Sequence, residues 1–167
     1  MIRKARPDDM NDLLILWNEM MDSHNGMHPD FRISKKADMA MASNFSDLFD
    51  DTTSTIFVAE EDNKVIGMLI AQSRVGLPYT QTEKTGYFRD VSVTKSFRRT
   101  GIGKTLVEAG IKFLTSLDVE YIDLITGSEN EGSNEFWKKM GFGETLKIRS
   151  LLLSPELTKN KLESKDK

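Results

Sequence analysis

Phe97-Arg98-Arg99-Thr100-Gly101-Ile102-Gly103-Lys104-Thr105-Leu106 is the stretch on which the reading of this chain turns. It follows an apolar-patterned run, residues 86–93, and opens an amphipathic run, residues 102–117. The pattern predicts a strand, a two-glycine loop and a helix N-terminus, which together make a phosphate cradle. Gly101 and Gly103 let the backbone approach a ligand closely, because no side chain stands in the way. The N–H groups of the first helical turn have no partners inside the helix. They point toward a bound anion, and the helix macrodipole favours that anion. A phosphorylated ligand is therefore expected here.

Spacing separates three glycine-rich motifs. A dinucleotide fingerprint needs Gly-x-Gly-x-x-Gly, and its third glycine would fall on Leu106. A Walker A loop would use Gly103-Lys104-Thr105 as its end, but its first glycine would fall on Arg98. A bulky residue there blocks the tight wrap around a β-phosphate. The pattern [Gln/Arg]-x-x-Gly-x-[Gly/Ala] is satisfied in full by Arg98, Gly101 and Gly103. The segment resembles the pyrophosphate loop of the GNAT superfamily of acyl-CoA-dependent N-acetyltransferases. A second block, Asn130-Glu131-Gly132-Ser133-Asn134-Glu135-Phe136-Trp137-Lys138-Lys139-Met140-Gly141-Phe142, resembles the late motif of the same superfamily. Asn130, Ser133, Phe136, Gly141 and Phe142 fall on that motif. The two matches stand in the right order, separated by the usual helix and strand. The resemblance covers roughly residues 1–150 as a pattern of elements and is motif-specific over residues 86–142.

One residue departs from the family. Its tyrosine, placed to protonate the departing CoA thiolate, would fall at Trp137. An indole N–H donates a hydrogen bond but gives up no proton at useful pH. Trp137 reads equally as an aromatic core residue on an amphipathic helix. A thiol has an unperturbed pKa of roughly 8.5, so its thiolate leaves fairly well without an acid.

Composition bounds the function classes. The chain has 167 residues, enough for one domain with a sizeable core. Apolar residues make up 38% and charged residues 29%, as in ordinary globular proteins. A net charge of -3 and a pI near 5.5 argue against a nucleic-acid binder with a broad basic field. There is no cysteine, so disulfides, thiol nucleophiles and an acyl-cysteine route are excluded, and acetyl transfer would be direct. With two histidines and no cysteine, no metal site is expected. Met1-Ile2-Arg3-Lys4 turns polar at once, unlike a signal peptide. No run approaches the ~20 apolar residues that span a bilayer, so no membrane partner and a cytoplasmic location are expected.

The remaining elements follow from periodicity. Residues 2–5 read as a first strand, and a helix entered through Pro7 carries Leu13, Leu14, Trp17, Met20 and Met21 at helical spacing. Residues 23–31 read as a loop, and Ser34 as the N-cap of a helix reaching Phe49. Residues 55–60 and 64–73 read as a hairpin, with Gly67 allowing close approach of another segment. Residues 86–93 form a fourth strand, 121–126 a fifth, 132–139 a short helix and 142–153 a sixth strand. The fourth and fifth strands should be parallel across the helix between them. The expected fold is α/β, an α+β sandwich: a mixed, mostly antiparallel sheet of six or seven strands with helices on both faces. A single N-acetyltransferase domain is expected over residues 1–153, with a polar tail at 154–167. The resemblance further implies a bulge in the fourth strand that splays it from the fifth, which no glycine or proline marks.

The resemblance implies roles by position. Acetyl-CoA is the implied co-substrate. Its pyrophosphate would sit on the N–H groups of Arg99, Thr100, Gly101, Ile102, Gly103 and Lys104, with Arg98 and Thr105 in the same loop. The charges of Arg98, Arg99 and Lys104 suit its phosphates. Amides near Val91, Ser92 and Val93 would hold the pantetheine and polarise the thioester carbonyl. Asn130, Ser133 and Trp137 complete the cofactor-side candidates. The acceptor amine must attack neutral, so a base or a water chain must take its proton. Asp90, inside an otherwise apolar strand, is the candidate base, with a structural carboxylate bonded to backbone N–H groups or to Arg89 as the plainer reading. Tyr87-Phe88-Arg89-Asp90 resembles the matching strand of the polyamine acetyltransferases, which carry Glu-Asp there. Arg89 breaks that acidic pair, and a fixed cation repels a polyamine. His24, His28 and Arg89 are the acceptor-side candidates. The expected activity is direct acetyl transfer to a primary amine of a small molecule or peptide. The rivals are a catalytically weak acyl-CoA-binding or sensor protein and, on Gly103-Lys104-Thr105 alone, a nucleotide hydrolase. The oligomeric state is open, a homodimer included.

Overall fold

Alternation of apolar residues and a two-residue turn set the hairpin at the centre of the chain. β2 (Ser54–Glu61) and β3 (Lys64–Val75) pair antiparallel, with Glu61 opposite Lys64. Asp62 and Asn63 take φ of 48° and 60°, the left-handed pair that such a tight turn needs. The computed structural model describes residues 1–24, 26, 28 and 31–151. β1 (Ile2–Lys4) adds to β2, β4 (Lys84–Val93) to β3, and β5 (Ile122–Leu124) to β4. All these pairs are antiparallel except β4 with β5, which is parallel. The connection between that parallel pair carries α3 (Ile102–Thr115), the crossover a parallel pair requires.

Contacts divide the chain into two compact units: Met1–Asp22 with Ser34–Ile125, and Ser23–Ile33 with Thr126–Lys167. In the first unit, α1 (Met10–His24, up to Asp22) and α2 (Ala37–Phe49) lie on one sheet face. Leu13, Leu16, Trp17, Phe45 and Leu48 pack there on Ile56, Val58, Met68 and Ile70. α3 covers the other face, and its contact is close because Gly110 has no side chain. A Cβ on Gly110 would stand 2.7 Å from the Phe88 ring and 2.8 Å from Leu69. Gly67 does the same for the start of α3, with Leu106 at 3.2 Å from a built Cβ. The first turn of the chain is tied to the sheet edge by Arg3, which bonds Asp9 through both terminal nitrogens (2.7 and 2.8 Å) and Glu60 through Nε (2.6 Å).

The second unit holds α4 (Glu131–Lys139). Asn130 caps it, its Oδ1 accepting from the Ser133 N–H at 3.1 Å. Gly141, at φ 91°, ends it, and the Phe142 N–H bonds the Trp137 carbonyl at 3.0 Å. Trp137 is buried, with edge-on contacts to Phe136 and Phe142 at 5.0 and 5.1 Å between centroids.

The sheet has five strands among the described residues, not six or seven. The sixth strand expected over 142–153 is absent from 142–151, and 152–153 lie outside the described residues, as does the tail at 154–167. Leu146, Ile148 and Leu151 are apolar residues of that run, but all three are exposed. A strand also needs a neighbour for its amides, which alternation cannot supply. Ser34 does not cap α2. It closes a turn ahead of it, bonding the Lys36 N–H (3.3 Å), and the helix starts at Ala37.

Candidate active site

In β4 the register breaks where the chemistry was expected. Leu69 lies opposite Val91 and Ala71 opposite Phe88, so two steps on β3 face three on β4. The extra residue falls at Arg89-Asp90 and makes a β-bulge. Neighbours in a regular strand point to opposite faces. At the bulge they share one: Arg89 Nε donates to Asp90 Oδ2 at 2.7 Å. Arg89 also donates from Nη1 to Asn44 Oδ1 of α2 at 2.6 Å. Phe88 packs against α3, so the pair projects to the face that carries α1 and α2.

Beyond the bulge the sheet opens. β5 pairs with β4 from Gly86 opposite Ile122 to Phe88 opposite Leu124, and no further. Residues 89–93 of β4 thus keep β3 on one side and no β5 strand on the other. An open edge of this kind accepts an extended ligand as an added strand. Ser92 turns its hydroxyl inward to the Leu16 carbonyl (3.1 Å), and the Thr94 N–H bonds the Ile66 carbonyl of β3 at 2.9 Å, so by alternation the peptide groups of Val91 and Val93, not those of Ser92, face the opening.

The chain leaves β4 through a short 3-10 turn and enters the glycine loop. Arg98 Nε returns to the Val93 carbonyl at 2.8 Å, and Thr100 Oγ1 bonds the Phe97 carbonyl at 2.7 Å. Arg99 and Gly101 both adopt left-handed backbone, with φ of 65° and 93°. The first backbone bond of α3 runs from Thr105 N–H to the Gly101 carbonyl at 3.1 Å, and Thr105 Oγ1 bonds the same oxygen at 3.2 Å. The amides of Ile102, Gly103 and Lys104 therefore have no partner one turn back. Nothing lies within 4 Å of a Cβ built on Gly101. Left-handed backbone, free amides and open space fit an anionic phosphate group. Lys104 makes a 3.8 Å pair with Glu108 that is exposed at both ends, so it stays available.

The second unit brings other candidates together. His24 stacks on Phe31 (4.8 Å between centroids), and its Nε2 lies 3.4 Å from Asn130 Nδ2. His28 meets Phe31 edge-on, and its Nε2 lies 3.2 Å from Ser150 Oγ. Ser133 spends its amide on the Asn130 cap.

Two residues of the first unit escaped the sequence reading. Asn44 holds Arg89 from a helix 45 positions away, a pairing that no local signal marks. Glu19 stands three residues after buried Leu16, on the inner side of α1, and its Oε2 is buried without a hydrogen-bond partner. It lies off the stripe of Leu13, Leu14, Trp17, Met20 and Met21, so no periodicity signal marks it.

The acetyltransferase (GNAT) family model matches residues 17–142, and the chain belongs to that family. It is 24% identical over 151 residues to an uncharacterized N-acetyltransferase, MJ1207, of Methanocaldococcus jannaschii, covering 90% of this chain and 64% of that one. It is 28% identical over 101 residues to an N-alpha-acetyltransferase of Sulfurisphaera tokodaii, covering 58% of this chain and 60% of the relative. The chain thus spans about three fifths of the length of these two curated relatives, 64% and 60%. Among solved structures, the tetramutant of the BH1408 protein from Bacillus halodurans superposes with a TM-score of 0.80 at 25% identity, over 92% of this chain and 99% of that one. An aminoglycoside N-acetyltransferase, AAC(6')-Iy, solved in complex with CoA, shares the fold with a TM-score of 0.69 at 19% identity, over 92% and 99% of the two chains.

Proposed function

We propose that this chain is an N-acetyltransferase that moves an acetyl group directly from acetyl-CoA to a primary amine of a small molecule or peptide. The observation that carries this reading is the opening of β4 at its bulge, ahead of a loop whose helix presents free amides. The open edge at Val91, Ser92 and Val93 suits the pantetheine arm and the thioester carbonyl. Donors placed for the developing oxyanion are worth roughly 3–4 kcal/mol. The loop from Arg98 to Thr105 suits the pyrophosphate, with Asn130, Ser133 and Trp137 as further cofactor-side candidates from the late motif. When bound, the co-substrate supplies an activated acetyl thioester.

Asp90 is the proposed base. Its Oδ2 is held by Arg89, which fixes the carboxylate beside the open edge and leaves Oδ1 to receive the proton of the attacking amine. His24 and His28 are proposed as acceptor-side residues. We read residues 1–153 as one acetyltransferase domain followed by a tail, acting in the cytoplasm. Among the described residues no helix is long and apolar enough to cross a membrane.

Acetyl-CoA turnover against an amine panel, followed by thiol release, tests the reading. Release that depends on the amine is expected. The second reading, an acyl-CoA-binding or sensor protein, is favoured by Trp137 where the family carries its acid. CoA binding without amine-dependent release would select it.

A further inference from the structure

One nitrogen of Arg89 and one oxygen of Glu19, on the same side of the sheet, are buried without hydrogen-bond partners. Arg89 gives Nε to Asp90 and Nη1 to Asn44, yet its buried Nη2 has no hydrogen-bond partner. Glu19 Oε2 is likewise buried and unpartnered. A buried polar atom without a partner is costly, and the cost is recovered when a ligand supplies the missing hydrogen bond.

The topology sets these two groups near one another. Asp12 Oδ2 accepts from the Val65 N–H at the start of β3, and the Leu16 carbonyl accepts from Ser92, which lies opposite Met68. α1 therefore runs along β3 and antiparallel to β4. Glu19 follows Leu16 by about one turn on the same helix face, toward the bulge. Arg89 and Asp90 project to that same face. Asp90 and Asn44 fix the guanidinium by two of its nitrogens, so the third is preorganised and loses little freedom on binding.

We infer that this face of the sheet recognises an amino carboxylate, with Arg89 Nη2 holding the acceptor's carboxylate and Glu19 Oε2 receiving its ammonium end. The inference rests on the acetyltransferase reading for the fate of the amine but concerns binding alone. It names the acceptor class as small molecules of the amino-acid type. It also accounts for the cation at a position where polyamine enzymes carry an acid. A dication meets Arg89 as a repulsive element, whereas a zwitterion meets complementary charges at both ends.

The test uses the whole chain saturated with CoA. Standard amino acids, each with its decarboxylated amine and its deaminated acid, are titrated calorimetrically and then assayed with acetyl-CoA. At least one amino acid should bind about tenfold or more tighter than either truncated partner, the scale of one hydrogen bond to a charged group. Arg89→Gln should erase the preference over the amine, and Glu19→Gln the preference over the acid, in variants whose melting curves confirm folding. Plain amines bound and acetylated as well as amino acids would overturn the inference while leaving the transferase reading intact. Carboxylate-dependent binding without thiol release would uphold the site and remove the transferase reading. No binding by any member of the panel, with CoA bound normally, sinks the inference.

Discussion

At the scale of single residues, backbone conformation and hydrogen-bond partners decide roles that residue type leaves open. Gly101 sits at φ 93° with open space beside it, so a β-branched side chain there is strained and also fills the cradle. Gly101→Val should abolish CoA binding, read by calorimetry, in a chain that still shows a cooperative melt. Wild-type affinity in that variant removes the loop from the cofactor site. Asp90 is half of an ion pair whose other half is held by Asn44. As a base it would contribute ~10²–10⁴-fold. Asp90→Asn should therefore slow transfer most below the acceptor amine's own pKa and recover partly above it, where the amine is already neutral. A lower melting temperature with an unshifted pH–rate profile would make Asp90 purely structural. Trp137 is buried against Phe136 and Phe142. Trp137→Ala should cost about 3–5 kcal/mol by lost packing. Trp137→Tyr keeps a ring there and restores the family's acid, so its transfer rate should match or exceed wild type. A folded Trp137→Tyr with normal cofactor affinity and little activity would show that no acid was replaced.

At the scale of elements, the site depends on how closely α3 lies on the sheet. The helix that carries the cradle is seated by Gly110 over Phe88, one residue before the bulge. Alanine favours a helix by roughly 1 kcal/mol over glycine. Here its methyl would press on the Phe88 ring and Leu69, and overpacking costs about 1–3 kcal/mol. The contacts are to core atoms that cannot swing away, so repulsion should win. Gly110→Ala is expected to lower stability by about 1 kcal/mol in denaturant titration. An unchanged or raised midpoint would mean that α3 moves freely on the sheet.

At the scale of the whole molecule, the charge network at the sheet edge makes stability depend on pH. The hydrogen bond from Arg3, with help from the Arg6 amide, holds the Asp9 carboxyl below its ordinary range despite partial burial. Burial works the other way at Asp51, but hydrogen bonds from Thr53 and Ser54 outweigh it and lower that carboxyl too. A folded-state value below the unfolded one means stability that is complete above an unfolded pKa of about 3.9. It is lost as pH falls through the lower folded values. Melting temperature should thus hold near neutrality and fall steeply below about pH 4. Asp9→Asn should cost roughly 1.5–3 kcal/mol at neutral pH and flatten the acid limb. An acid limb as steep as wild type would place the sensitivity elsewhere.

Much of the cradle was legible along the chain because its parts are local: two glycines, a helix start and an amphipathic stripe lie within one short segment, residues 97–117. The hairpin and the parallel β4–β5 pair were legible as well, whereas the role of Asn130 as the cap of α4 was not read from the sequence. The bulge was not, since Arg89 and Asp90 carry no backbone signal and the register belongs to the pairing with β3. The missing sixth strand reflects the same fact: alternation describes a face, and only a neighbouring strand makes it a strand. The partners of Arg89 come from α2 and its own bulge, and Glu19 reaches that face only through the course of α1. Sequence by itself determined the family, the cradle and most element types, because these follow from periodicity and short motifs. Tertiary structure alone decided where the sheet opens and which partners Arg89 and Glu19 meet, because both are set by contacts between segments far apart in the chain.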